Sequence, residues 1–241
     1  MNPTHGKQLL PALGLSTALL LGILQSTAIA DDGYRILQDQ CAACHALQKP
    51  EKEGLDHVWE RGGPDLYYSG VKFRHEWLER WLQDPQRIRP GAELYSRYVI
   101  STPDGDRIDG DSLPEHPVLE QEDAKAVASA LMRLKGPDGL VEEGAYADEQ
   151  VSSARAQMFF GRLRGCAGCH AIDPGDGGRS GPNLGSAGSR LQPDFIYSYI
   201  KNPQAFDPHV WMPRQSLSER DLQMLTGYLL QQKSLEEDDE E

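Results

Sequence analysis

Two copies of one short motif contain every cysteine of the chain and predict its chemistry. The motifs are Cys41-Ala-Ala-Cys44-His45 and Cys166-Ala-Gly-Cys169-His170. Two cysteines at this spacing can form thioethers to both vinyl groups of one haem, and the histidine that follows can then bind the iron. The sequence therefore predicts two covalently bound haem c groups, one on each cysteine pair, with His45 and His170 as iron ligands.

Other uses of a C-x-x-C pair fit this chain less well. A zinc ribbon would place its two pairs about 15–20 residues apart, whereas Cys44 and Cys166 are separated by 122 positions. A thioredoxin-like redox site would need a βαβ context, which the sequence lacks. A simple disulfide would not require a histidine directly after both pairs, so haem attachment is the favoured interpretation.

The N-terminus has the parts of a secretory signal peptide. Lys7 precedes an apolar stretch at residues 9–24, and Ala28-Ile29-Ala30 is a small-x-small cleavage site. We expect residues 1–30 to be removed after Ala30 and the protein to reach the periplasm, where haem attachment requires it. The apolar stretch is short for a spanning helix and contains Pro11, and an uncleaved membrane anchor is the alternative.

The charge of the chain restricts its partners. It has 37 acidic against 24 basic residues and a formal net charge of −13. This balance argues against nucleic acid and anionic lipid, and predicts redox proteins with a basic docking surface as partners. Membrane contact is then expected only through a partner complex. Residues 236–241 are all acidic and predict a solvated tail.

The sequence downstream of the motifs repeats at an offset of 118 positions. Gly63-Pro64-Asp65-Leu66 corresponds to Gly181-Pro182-Asn183-Leu184, and Asp84-Pro85-Gln86 to Asn202-Pro203-Gln204. Trp77 and Trp81 correspond to Phe195 and Tyr199, and this spacing predicts amphipathic helices whose aromatic residues suit the wall of a haem crevice. The sequence therefore predicts a duplication.

The remaining elements follow from periodicity and turn residues. Helices are expected over residues 34–40 and 154–163, leading into the motifs, and over 123–134 and 219–230, closing the halves. Ser218 is the predicted N-cap of the last helix, with Asp221 completing a capping box. Residues 98–108 predict a small β-hairpin. Gly136-Pro137-Asp138-Gly139 begins a linker that extends to about residue 150.

On these motifs, each half resembles a class I cytochrome c domain, and the whole resembles a diheme cytochrome c over residues 31–235. The resemblance implies an all-α fold of two tandem small domains, 31–135 and 151–235, joined by the linker 136–150. It also implies single-electron transfer between redox proteins, as a periplasmic carrier or as the cytochrome subunit of an enzyme complex rather than as an enzyme.

The resemblance also implies the sixth ligand of the second haem. In the family this ligand is usually the methionine of a Pro-x-x-x-Met-Pro loop, and the second half has Pro208-His209-Val210-Trp211-Met212-Pro213. Met212 is therefore the expected ligand, and His/Met coordination raises the haem potential. Met158 and Met224 fall at helical positions and are expected to pack in the core.

The first half departs from this pattern. Leu94 stands where Met212 would map, and leucine cannot bind iron. The closing helices align at an offset of 98 instead of 118, so the first half holds 20 additional residues. This insertion lies at about residues 95–118, where the hairpin is predicted.

The sequence therefore leaves several alternatives for the sixth ligand of haem 1. His116 is the first choice because it lies in the insertion that replaces the methionine loop. Alternatively the position is vacant, with Leu94 lining an apolar pocket. Weaker candidates are His57 and His75, both expected to be exposed, together with Lys72, Tyr95 and Tyr98. Met132 is expected to pack within the closing helix.

These alternatives lead to different functions. Two nitrogen ligands at haem 1 would lower its potential relative to haem 2 and favour electron flow from haem 1 to haem 2. An open iron would suit a peroxidase-like or thiosulfate-oxidising diheme enzyme, or a gas sensor. Three points argue against an enzyme: the chain is short, it has no cysteine beyond the two motif pairs that could serve as an unusual iron ligand, and no acid–base pair can be assigned to haem 1.

Overall fold

The computed structural model describes residues 32–51, 54–147, 152–173 and 175–233. The predicted signal peptide and the acidic tail lie outside these residues. The described chain is mostly helical with one two-stranded sheet, which agrees with the expected all-α class. Within the described ranges no helix combines the length and apolar character needed to cross a membrane.

The first half, residues 32–135, has five helices among its described residues. Helix α1 covers residues 32–36 and continues as a π-helical turn, Leu37–Cys41. The other helices are α2 (Leu55–Glu60), α3 (Ser69–Lys72), α4 (His75–Gln83) and α5 (Gln121–Leu131). Helix α5 begins two residues before its predicted start and ends three before its predicted end. Residues 132–133 form a turn instead, and the Leu134 carbonyl accepts a bond from Gly70 N at 2.8 Å.

The predicted hairpin lies between α4 and α5, inside the insertion. Strand β1 (Val99–Thr102) pairs antiparallel with β2 (Gly105–Ile108), with Val99 opposite Ile108. The turn between them leaves Gly105 at φ +112°, a conformation that glycine adopts without strain. Short 3₁₀ turns at Tyr95–Arg97 and Gly110–Ser112 flank the hairpin.

The second half, residues 152–233, repeats this order without the hairpin and, among its described residues, without a counterpart of α2. Helix α6 (Ser153–Met158) continues as a π-helical turn, Phe159–Leu163, and is followed by α7 (Ala187–Arg190), α8 (Pro193–Lys201) and α9 (Glu219–Leu230). Helix α9 has its predicted bounds. Its capping box is confirmed, because the Ser218 side chain accepts from Asp221 N and the Asp221 carboxylate accepts from Ser218 N.

The halves meet at positions that are 118 residues apart in sequence. Phe73 and Leu191 form an antiparallel bridge. Four hydrogen bonds surround it: Arg74 N to Arg190 O (2.9 Å), Gln192 N to Lys72 O (2.9 Å), Arg74 Nε to Leu191 O (3.0 Å) and Gln192 Nε2 to Phe73 O (2.7 Å). Helices α3 and α7, and likewise α4 and α8, have bounds shifted by the same 118 positions.

Aromatic side chains fill the core between the halves. Phe206 is 1% exposed, and its ring centroid lies 5.6 Å from that of Tyr68 and 5.3 Å from that of Phe195. The Tyr67 hydroxyl donates to the Phe206 carbonyl at 3.2 Å. In the first half Trp77 and Trp81 stack at 5.5 Å, on the face where the sequence predicted an aromatic wall.

Candidate functional site

The cysteine pairs of both motifs are described, and neither forms a disulfide. Cys41 ends the first π-helical turn, and Cys166 begins a 3₁₀ turn, Cys166–Gly168. Burial raises the pKa of both thiols, while Cys44 and Cys169 are exposed. Each motif therefore presents two sulfur atoms that are not bonded to each other, as thioether formation to a haem requires.

The motif histidines have equivalent surroundings. The Nδ1 atom of His45 lies 2.7 Å from the Pro64 carbonyl oxygen, and that of His170 lies 2.8 Å from the Pro182 carbonyl oxygen. A neutral imidazole that donates through Nδ1 has its lone pair on Nε2, where a metal binds. Burial lowers the pKa of both histidines and so favours the neutral form that a metal needs.

The Gly-Pro-x-Leu turns hold these histidines in place. Each turn donates one bond to its motif and one to the alanine that follows the motif: Gly63 N to Cys44 O (2.9 Å) and Leu66 N to Ala46 O (2.8 Å), Gly181 N to Cys169 O (2.8 Å) and Leu184 N to Ala171 O (2.8 Å). A Cβ atom on Gly63 or Gly181 would overlap the adjacent imidazole ring. Glycine is therefore needed for the proline carbonyl to reach Nδ1.

A buried cation near the second motif fits the acidic propionates of haem. Arg190 is 4% exposed, and its Nε atom has no hydrogen-bond partner among the described residues. Burial lowers its pKa to about 10. Buried charges are normally paired, so an anion beside Arg190 would stabilise the site. Lys72 occupies the matching position of the first half, and burial lowers its pKa to about 8.

Among the candidate sixth ligands of the first half, His116 lies beside His45. The two ring centroids are 6.3 Å apart. The His116 ring also packs edge-on against Trp81, with centroids 4.7 Å apart. Its Nδ1 atom lies 2.9 Å from the Pro117 carbonyl oxygen, which leaves Nε2 for another partner. Burial lowers the pKa of His116. The insertion therefore places His116 next to the first motif.

Two weaker candidates differ from expectation. His57 is half-buried rather than exposed, because its Nε2 atom lies 3.0 Å from Oδ1 of the buried Asp65. His75 is also half-buried, with Nε2 at 3.4 Å from the Ser129 hydroxyl. Both imidazoles therefore have protein partners.

The second half places Met212 on the loop 206–217, hereafter the Met212 loop. Met212 is half-buried, and its carbonyl accepts a bond from Gln204 Nε2 at 2.8 Å. Met224 and Met132 pack against the core as predicted. The prediction for Met158 is wrong, since it is 48% exposed. The α-helix changes to a π-helical turn at this point, and the change in residues per turn shifts the register of the buried face.

Sequence reasoning missed a buried group of charges between the halves. Arg61 bonds to Asp207 of the Met212 loop at 2.6 Å and to Asp65 at 3.2 Å. The Arg61 and Asp207 positions are separated by 146 residues, so no local pattern links them.

Comparison with known proteins bears on the second half. Residues 154–229, about a third of the chain, match the family model described as cytochrome c oxidase, cbb3-type, subunit III. No curated protein and no solved structure matches the chain. The match covers helices α6 to α9 and therefore includes the second motif and the Met212 loop. It supports a cytochrome c domain over these residues, with covalently bound haem and electron transfer as the activity of that domain.

Proposed function

We propose that the protein is a periplasmic diheme c-type cytochrome that transfers single electrons between redox proteins. The observation that carries this proposal is the equivalence of the two motif sites. Each has a cysteine pair that forms no disulfide, and each has a histidine whose Nδ1 atom lies within hydrogen-bond distance of the carbonyl oxygen of the proline in the next turn. The family match covers the second site, and the same arrangement extends the assignment to the first.

A bound haem would supply reversible one-electron chemistry at iron. The residues of the chain would attach and orient it. The cysteine pairs would hold the porphyrin covalently, and His45 and His170 would each offer a neutral Nε2 atom. Lys72 and Arg190 would compensate the negative charge of the propionates. A carrier needs no acid–base group beyond these.

For haem 1 we propose His116 as the sixth ligand. A first-row metal lies about 2 Å from an imidazole nitrogen. A ring nitrogen lies about 1.2 Å from its centroid when ring bonds are about 1.3–1.4 Å long. The His45 and His116 ring centroids are separated by 6.3 Å, so the two imidazoles would be able to hold one iron between them.

For haem 2 we propose Met212. The match to a cytochrome c domain includes its loop, and the bond from Gln204 restrains the backbone at this residue. A thioether ligand favours ferrous iron more than an imidazole does, so haem 2 would have the higher potential. Electrons would then pass from haem 1 to haem 2. With His116 at haem 1, this carrier role is favoured over a peroxidase-like or thiosulfate-oxidising enzyme or a gas sensor, because those need an open iron.

Export and partners are also part of the proposal. Cytochrome c domains are typically exported proteins, and residues 1–30 would act as the signal peptide. The net charge of −13 would favour partners with basic docking surfaces.

Electron paramagnetic resonance of the oxidised, haem-loaded protein tests the ligation of haem 1. We expect two low-spin ferric signals in the wild type. The His116→Ala variant should convert one of them to high spin, whereas His75→Ala should leave both unchanged because His75 bonds to Ser129. An unaltered pair of signals in His116→Ala would exclude His116 as the ligand.

A further inference from the structure

One group of buried charges joins the halves, and we call it the Arg61 cluster: Arg61, Asp65, Glu93 and Asp207. The Arg61 side chain is 8% exposed. Its guanidinium contacts three carboxylates: Nη1 lies 3.2 Å from Asp65 Oδ2, and Nη2 lies 2.8 Å from Glu93 Oε1 and 2.6 Å from Asp207 Oδ2. Asp207 belongs to the second half, so this cation ties the halves together.

Asp207 organises the beginning of the Met212 loop. While its Oδ2 atom pairs with Arg61, its Oδ1 atom accepts a hydrogen bond from His209 N at 2.8 Å. The preceding residue is held as well, because the Tyr67 hydroxyl donates to the Phe206 carbonyl at 3.2 Å. Two side chains of the first half therefore hold the segment that leads to Met212.

Arg61 also adjoins the first motif. The next residue, Gly62, packs so closely that a Cβ atom there would lie 2.9 Å from the Cys44 sulfur. Gly63 follows and packs on the His45 ring. The backbone of Arg61 thus leads to the first haem motif, while its side chain reaches the loop of the proposed second-haem ligand.

The surrounding charges decide what the loss of Arg61 would do. Glu93 also pairs with Arg89 at 3.0 Å, and Asp65 also contacts His57 at 3.0 Å. These two carboxylates of the first half therefore keep a partner without Arg61. Asp207 would lose its 2.6 Å bond and face two like charges, which favours its movement into water.

We propose that Arg61 is a positioning residue that holds the Met212 loop from the opposite half of the molecule. This inference rests on the proposed ligation of haem 2 by Met212. It predicts that a first-half residue controls how firmly methionine binds the iron of the second half. The affinity of haem 2 for an added ligand would then depend on contact between the halves.

The test is competition by imidazole at haem 2 in the haem-loaded protein. Loss of the weak red absorption band that methionine gives to ferric haem measures displacement of the sulfur. We expect Arg61→Gln to lower the imidazole concentration for half-displacement by about tenfold, the ratio that one charge-assisted hydrogen bond supports. Asp207→Asn should act similarly, although its amide oxygen can still accept from His209 N.

Glu93→Gln is the matched control, because it alters the same cluster without touching the loop. It should change the half-displacement concentration less than twofold. Arg61→Lys serves if Arg61→Gln does not fold, since a single ammonium cannot reproduce the three contacts of the guanidinium. We expect a weakening intermediate between Arg61→Gln and the wild type.

The positioning role would be wrong if the imidazole concentration for half-displacement were the same in the wild type, Arg61→Lys and Asp207→Asn. The positioning role would also be wrong if Glu93→Gln lowered the half-displacement concentration as much as Arg61→Gln does, because the cluster would then act only through the overall stability of the fold. If Met212→Ala leaves the red band intact, or the wild type lacks the band, the ligation of haem 2 fails instead. The two failures are therefore distinguishable.

Discussion

Replacement of Phe206 by alanine should destabilise both halves of the molecule. Phe206 is 1% exposed, and its ring centroid lies 5.1, 5.3 and 5.6 Å from those of Tyr199, Phe195 and Tyr68. Truncation of a buried phenylalanine costs about 3–5 kcal/mol of the free energy of unfolding, which includes about 0.5–1.5 kcal/mol for each aromatic pair. Because Tyr68 belongs to the first half, the loss should extend across the contact between the halves.

Urea unfolding followed by tryptophan fluorescence measures this effect. Trp59, Trp77 and Trp81 lie in the first half, so the signal reports mainly on the half that does not carry the substitution. With a urea dependence of the unfolding free energy of about 2–3 kcal/mol per molar, the midpoint should fall by about 1–2.5 M. Ile100→Ala, at a side chain that is 40% exposed on the hairpin, should shift it far less. Equal midpoints for the two variants would refute the packing argument.

Three further changes have expected outcomes. Gly188→Ala should lower the free energy of unfolding by about 1–3 kcal/mol, because the added Cβ would overlap the Leu230 carbonyl oxygen of α9. Gly161→Ala is the control: its Cβ would enter open space and should leave the melting temperature nearly unchanged. Equal melting temperatures for the two variants would contradict this prediction. Ser218→Ala removes the cap of α9 and should cost about 0.5–2 kcal/mol in the same assay; no change would mean that the capping box contributes nothing. His116→Met should raise the potential of haem 1 in a redox titration, within the roughly 0.8 V range that axial ligands span; an unchanged or lower value would argue against His116 as a ligand.

Local signals were sufficient for much of the fold. The bounds of α9 and its capping box followed from helical periodicity and from the pair Ser218 and Asp221. The hairpin followed from Pro103-Asp104-Gly105 between β-branched residues. The offset of 118 indicated equivalent elements, and α4 and α8 have bounds related by that offset.

Long-range contacts were beyond such reasoning. The Arg61–Asp207 pair joins residues that are 146 positions apart, and no periodicity predicts it. His57 was expected in solvent because its neighbours in sequence are polar, but its partner Asp65 is buried. The exposure of Met158 depends on the π-helical turn that follows it, and sequence periodicity assumes a continuous α-helix.

A spectroelectrochemical titration of the purified, haem-loaded protein tests the central proposal most directly. We predict two reversible one-electron steps of equal amplitude, with the higher potential belonging to the haem whose red band is lost in Met212→Ala. A single one-electron step would contradict two functional haems. Two steps in the opposite order would contradict the proposed direction of electron transfer from haem 1 to haem 2.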